Sequence, residues 1–108
     1  MNEPLLISGR IPREMSCLAK DYYSFHRETN VKVIRYWYRL NDKRKSPEWL
    51  LVHLKDRLGH ERSALCMVCA DGDGGCYLSE FLSGTLEKEE RLLSDWRRII
   101  EEDMEADT

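Results

Sequence analysis

Two apolar runs, Ala64 to Ala70 and Cys76 to Leu82, flank the segment Asp71-Gly-Asp-Gly-Gly75, and this arrangement constrains the fold more than any other stretch. Asp-Gly pairs favour tight hairpin turns, because Gly takes positive φ without a steric penalty. The segment therefore predicts a β-hairpin, which commits the chain to at least one antiparallel pair of strands. At 108 residues the chain is expected to form a single domain over 1–108, in a size range where a metal staple adds noticeably to a small core.

Helical signals lie on both sides of the hairpin. Ile11, Met15, Leu18, Tyr22 and Phe25 recur at spacings of four and three, with Pro12 at a tolerated first-turn position, and predict an amphipathic helix ending near Arg27. Val31 to Leu40 is rich in β-branched and aromatic residues and predicts a strand whose even positions, Ile34, Tyr36, Tyr38 and Leu40, share a face. A polar, basic loop from Asn41 to Lys45 follows it.

Ser46-Pro47-Glu48 has the signature of a helix start. Leu50, Leu51, Leu54 and Leu58 supply a candidate buried face, and Gly59 a stop. Beyond Gly84, Thr85 is a candidate cap for a last helix carrying Leu86, Leu93, Trp96 and Ile100, widened by Leu92 and Ile99. The expected class is α+β: a small antiparallel sheet including the Cys-containing hairpin, packed with about three helices. The acidic end, 101–108, is expected to be a solvated helix end that frays.

Composition narrows the setting. The opening residues lack a basic stretch followed by a long apolar one, and no apolar run reaches membrane-spanning length, so the expectation is an intracellular protein without membrane association. The four Cys are then expected to be reduced thiols rather than disulfides. Residues 1 to 62 hold 13 Lys or Arg against 8 Asp or Glu, whereas residues 63 to 108 hold 4 against 12, so the two halves are expected to face different partners.

Several residue sets have chemical potential, each beside a plainer reading. Cys66, Cys69, Cys76 and His60 supply four zinc-type ligands within 17 residues, with Cys17 or His53 as substitutes for His60. Residues three apart in a straight strand point to opposite faces, so Cys66 and Cys69 converge only if the backbone curls; otherwise they are small buried hydrophobes. Counted from Cys69 as first position, Asp71, Asp73, Gly74 and Glu80 match parts of a calcium loop, although a thiol stands where an oxygen ligand belongs.

Trp37, with Tyr36 and Tyr38, is bracketed by Arg35 and Arg39 and followed by Lys43, Arg44 and Lys45. Such a set can stack bases and hold phosphates, or can simply be an aromatic strand over a core. Trp96 and Ile100 on the last helix are core candidates that can alternatively dock a partner. The three His stand in no recognisable catalytic motif, which predicts a protein that is not an enzyme and has no small-molecule substrate.

The aromatic strand around Trp37, the Cys66-x-x-Cys69-Ala segment and Tyr77-x-Ser79-Glu80 together resemble the small leader-frame accessory proteins of sobemoviruses over residues 31 to 80. That resemblance implies a viral accessory protein in the host cytoplasm that suppresses host RNA silencing and assists viral spread. It also implies zinc on Cys66 and Cys69, and RNA or an RNA-silencing protein of the host as partner. The second downstream Cys-x-x-Cys of that family is missing, and only Cys76 stands in for part of it. The alternatives are a phage or bacterial protein–protein interaction module that docks through its C-terminal helix, and a degenerate calcium-binding module.

Overall fold

The computed structural model describes residues 5–8, 10–26, 28–39, 43–44 and 46–106, with residues 5–8 and 103–106 described through their backbone alone. Lys45 and Leu40, both singled out above, lie outside the described residues. The chain forms an α+β fold in the order β1 (Leu5–Ser8), α1 (Arg13–Ser24), β2 (Glu28–Arg39), β3 (Trp49–Asp56), β4 (Glu61–Ala70), β5 (Cys76–Thr85) and α2 (Glu89–Ala106), with a 3₁₀ turn at Leu86–Lys88 leading into α2. The five strands form one antiparallel sheet in sequence order, a meander with β1 and β5 at its edges.

The hairpin expected around Asp71 to Gly75 is β4–β5. Gly72 and Gly74 adopt φ of +88° in its turn, and Asp71 Oδ1 accepts hydrogen bonds from the Asp73 and Gly75 amides at 2.8 and 3.0 Å. A side-chain bond of this kind is what makes Asp a turn former. β1, by contrast, had no counterpart in the sequence reading.

The predicted helix over Ser46–Leu58 is instead β3. Trp49-Leu-Leu-Val-His-Leu54 is nearly unbroken in apolar residues, and Leu50, Leu51, Val52 and Leu54 are all buried. A central strand covered on both faces reads as a continuous apolar run, which mimics helical spacing when only its leucines are counted. Leu58, part of the supposed helical face, is exposed, and Gly59 with φ +86° makes the β3–β4 turn rather than a helix cap. The two α-helices that form therefore fall short of the expected three.

Those helices cover opposite faces of the sheet. Met15, Ala19 and Tyr23 of α1 pack with Val33, Tyr36, Leu50, Val52, Leu54, Ala64, Cys66 and Leu78. Leu92 and Trp96 of α2 pack with Trp37, Leu51 and Leu65 on the other side. Strand β3 contributes to both cores because its side chains alternate between them.

Two register shifts decide which face several residues reach. In β2, Val33 pairs with Val52 and Arg35 with Leu51, leaving Ile34 extra; in β5, Leu82 pairs with Leu65 and Glu80 with Cys66, leaving Phe81 extra. A bulged residue reverses the alternation beyond it. Ile34 consequently joins the α2 core while Tyr36 and Tyr38 join the α1 core, which splits the predicted even-numbered face.

The last helix follows its predicted stripe, with Leu92 and Trp96 buried and Leu93 and Ile100 packed beside them. Its backbone remains helical to Ala106. Trp96 lies 4.5 Å from Trp37 and 5.6 Å from Trp49, centroid to centroid, and anchors α2 to the sheet. Truncating a buried Trp costs about 3–5 kcal/mol. Trp96→Ala is therefore expected to lower stability by about that amount in urea unfolding, far more than Ser94→Ala on the exposed side of the same helix.

Candidate functional site

The four zinc candidates are not brought together. Cys66 and Cys69 lie on one continuous strand, three residues apart, and so face opposite sides of the sheet: Cys66 is buried in the α1 core, and Cys69 pairs with Tyr77 across the hairpin. Cys76 is exposed at the start of β5, opposite Ala70. His60 stands before the other end of β4, about 30 Å from Cys69 at the rise of an extended strand. It is held there by Asp56, whose Oδ1 accepts the His60 amide at 2.9 Å and whose Oδ2 lies 3.3 Å from Nδ1. The Asp56 carboxyl titrates lower than usual, chiefly because of the hydrogen bond from the His60 amide.

Neither substitute completes the set. Cys17 is exposed on α1, and His53 is bound to Glu89 on the α2 side. Among the described residues no group of three or more His, Cys, Asp or Glu is disposed to hold a metal ion. The zinc arrangement implied by the resemblance does not fit this geometry. The calcium-like residues are likewise apart, since Asp71 closes its own turn while Glu80 sits in mid-strand and binds Tyr23 and Arg62.

Cys66 belongs instead to a polar cluster between α1 and the sheet. The Tyr23 hydroxyl donates to Glu80 Oε1 at 2.8 Å, which leaves its oxygen to accept the Cys66 thiol proton at 3.1 Å. Arg62 binds Glu80 Oε1 at 2.8 Å and Glu28 Oε1 at 3.0 Å, and its guanidinium lies 5.6 Å from the Tyr23 ring centroid.

Burial pushes the Cys66 thiol up to about 11, and burial, then Cys66 and Glu80, push the Tyr23 hydroxyl far above its ordinary value. Burial alone would favour the neutral form of Arg62, but its bonds to Glu80 and Glu28 outweigh this and hold it above its usual value. At neutral pH the cluster is thus a protonated thiol, a neutral phenol and a compensated ion pair, an arrangement that docks α1 and activates no nucleophile.

A second polar cluster docks the start of α2. Glu89 Oε2 accepts the Ser63 hydroxyl at 2.6 Å and lies 2.6 Å from His53 Nε2, while Ser63 and His53 face each other across β3 and β4. Ser63, Glu89 and His53 are the residue types of a hydrolytic triad, but the carboxylate stands between Ser and His, so the hydroxyl bonds to Glu89 and not to the imidazole. Burial would raise the Glu89 carboxyl, but the bonds from Ser63 and His53 and the charges of His53 and Arg35 hold it below its usual range.

The proposed nucleic-acid residues are divided between core and surface. Trp37 is 2% exposed against Trp96, and so cannot stack on a base. Arg35, Arg39, Lys43 and Arg44 are exposed along β2 and the turn after it, with Arg39 Nε paired to Glu48 at 2.9 Å. Trp96, proposed as a partner contact, is 2% exposed and lies in the core, and Ile100 packs beside it.

The sequence reading missed an exposed apolar patch on β4 and β5. Tyr77 is 51% exposed, Phe81 41% and Met67 37%, and Phe81 stands edge-on to Trp49 at 5.3 Å. All lie on the α2 side of the sheet. Their alternation with Leu78 and Glu80 was visible, but the bulge at Phe81 and the reach of α2 were not.

Two measurements check these assignments. Thiol labelling of the native protein, followed by mass spectrometry, is expected to modify Cys17 and Cys76 rapidly and Cys66 only on unfolding. Because the Glu89 carboxyl is depressed on folding, its stabilisation is complete above the unfolded value of 4.5 and is lost as pH falls through the lower folded value. Glu89→Gln is therefore expected to be less stable than the parent at pH 7 and to lose less further stability below about pH 4.5.

No helix among the described residues is long and apolar enough to cross a membrane. Comparison with family models, with curated proteins and with solved structures finds no match to this chain.

Proposed function

We propose that this protein is a non-enzymatic accessory module that acts by binding another protein, and that it interferes with host RNA silencing through that contact. The observation that carries the protein-binding reading is the exposed patch of Met67, Tyr77 and Phe81 on an edge of the sheet. Exposed aromatic residues gathered in one place mark interaction surfaces, where isolated ones need no explanation.

The burial of Trp37 counts against sequence-tolerant RNA binding through this strand, which relies on exposed aromatic faces. What remains for RNA is a set of scattered cations, among them Arg39, which is paired with Glu48. The burial of the Cys66 thiol, which disfavours its thiolate, supports a non-catalytic role for that residue. The silencing role rests on the likeness of residues 31 to 80 to the sobemovirus accessory proteins.

A leaf assay in which a reporter is silenced by double-stranded RNA tests this reading. Expression of the protein is expected to restore the reporter. The variant Met67→Lys, Tyr77→Lys, which changes exposed side chains only, is expected to lose that effect, while Arg35→Glu, Lys43→Glu keeps it. The reverse pattern, or tight salt-sensitive binding of duplex RNA by the purified protein, would return the function to RNA contact.

A further inference from the structure

We propose that β5 is a docking edge that accepts an extended segment of a partner protein as a sixth strand, and that this segment alternates basic and apolar side chains. The inference rests on the protein-binding reading above and specifies its partner. Among the described residues β5 pairs only with β4, so alternate residues along its ten-residue length direct backbone N–H and C=O groups away from the sheet. Edge strands are ordinarily protected by charges or Pro. Cys76 to Thr85 contains no Pro and one charged residue, Glu80, whose carboxylate is held inward by Tyr23 and Arg62.

The two sides of this edge differ chemically, which gives the partner its pattern. On the α2 side stand Met67, Tyr77 and Phe81, suited to apolar side chains. On the α1 side a groove of about 420 Å³ runs between α1 and Cys76. Met15 and Leu18 line it and suit the aliphatic stem of Lys or Arg, while Glu14 and Asp21 stand where the cation would reach, outnumbering Arg13. Asp71 and Asp73 in the adjoining turn extend the acidic rim. Successive residues of an added strand point to opposite faces, so a segment with basic and apolar residues in alternation satisfies both sides at once.

A second copy of this chain is a poorer occupant. Its own β5, Cys76–Thr85, carries no Lys or Arg to meet Glu14 and Asp21 on the α1 side of the edge.

The test uses the full chain and a fluorescein-labelled peptide, Lys-Val-Arg-Ile-Lys-Tyr-Arg-Val, read by fluorescence anisotropy. Saturable binding is expected, weakened about tenfold or more by Tyr77→Lys and by Asp21→Lys, each being a change at a well-placed contact. A peptide of the same composition with its basic residues grouped at one end is expected to bind more weakly. Methylation of alternate backbone nitrogens is expected to block binding in one phase and spare it in the other, a signature that charge attraction alone does not produce.

Equal binding of all these peptides, or no binding, overturns strand addition. So does Tyr77-dependent dimerisation of the chain that the peptide does not compete away. If the peptide fails to bind while Met67→Lys, Tyr77→Lys still abolishes the reporter effect, strand addition falls and protein contact stands. If that variant keeps the reporter effect, the protein-binding reading itself falls.

Discussion

Strand β3 is buried on both faces, and the rest of the architecture answers that constraint. Leu50, Val52 and Leu54 face α1, while Leu51 faces α2, so neither helix alone can exclude water from the strand. Burying a large aliphatic side chain is worth about 1.5–3 kcal/mol, which makes coverage of both faces the main source of cohesion. The meander provides this economically: β2 and β4 flank β3, α1 precedes them on one face, and α2 follows β5 onto the other.

Each helix is positioned by a polar contact as well as by its apolar stripe. Tyr23 joins α1 to Glu80 and Cys66, and Glu89 joins α2 to Ser63 and His53. These bonds are directional where apolar packing is not, so they select one seating of each helix among several of similar apolar area. The most conspicuous chemistry-bearing residues in the sequence, Cys66, Glu80 and His53, are thereby spent on assembling the two layers. Met67, Tyr77 and Phe81 of β4 and β5 are left exposed.

Most acidic residues of the second half of the chain lie in α2 rather than in β4 and β5. Lys32, Arg35 and Arg39 lie along β2, whereas Asp71, Asp73, Glu14 and Asp21 surround the start of β5. An edge with an apolar strip on one side and carboxylates on the other discriminates among partners by charge as well as by shape.

The hairpin, the first helix and the last helix were legible in the sequence because each depends on local rules: Asp-Gly turn chemistry in one case, and apolar residues at helical spacing in the others. β3 was misread because a strand buried twice over and a helix with one apolar face can place leucines at the same positions, and only the neighbouring layers distinguish them. The separation of Cys66 from Cys69 followed from strand geometry once β4 proved straight, and the burial of Trp37 and Trp96 from their mutual packing across the sheet. Local composition by itself determined the α+β class and the hairpin. The faces reached by Ile34 and Phe81, the dispersal of the thiols and the exposed edge were decided by the tertiary structure, since bulges and helix coverage depend on contacts between residues distant in the chain.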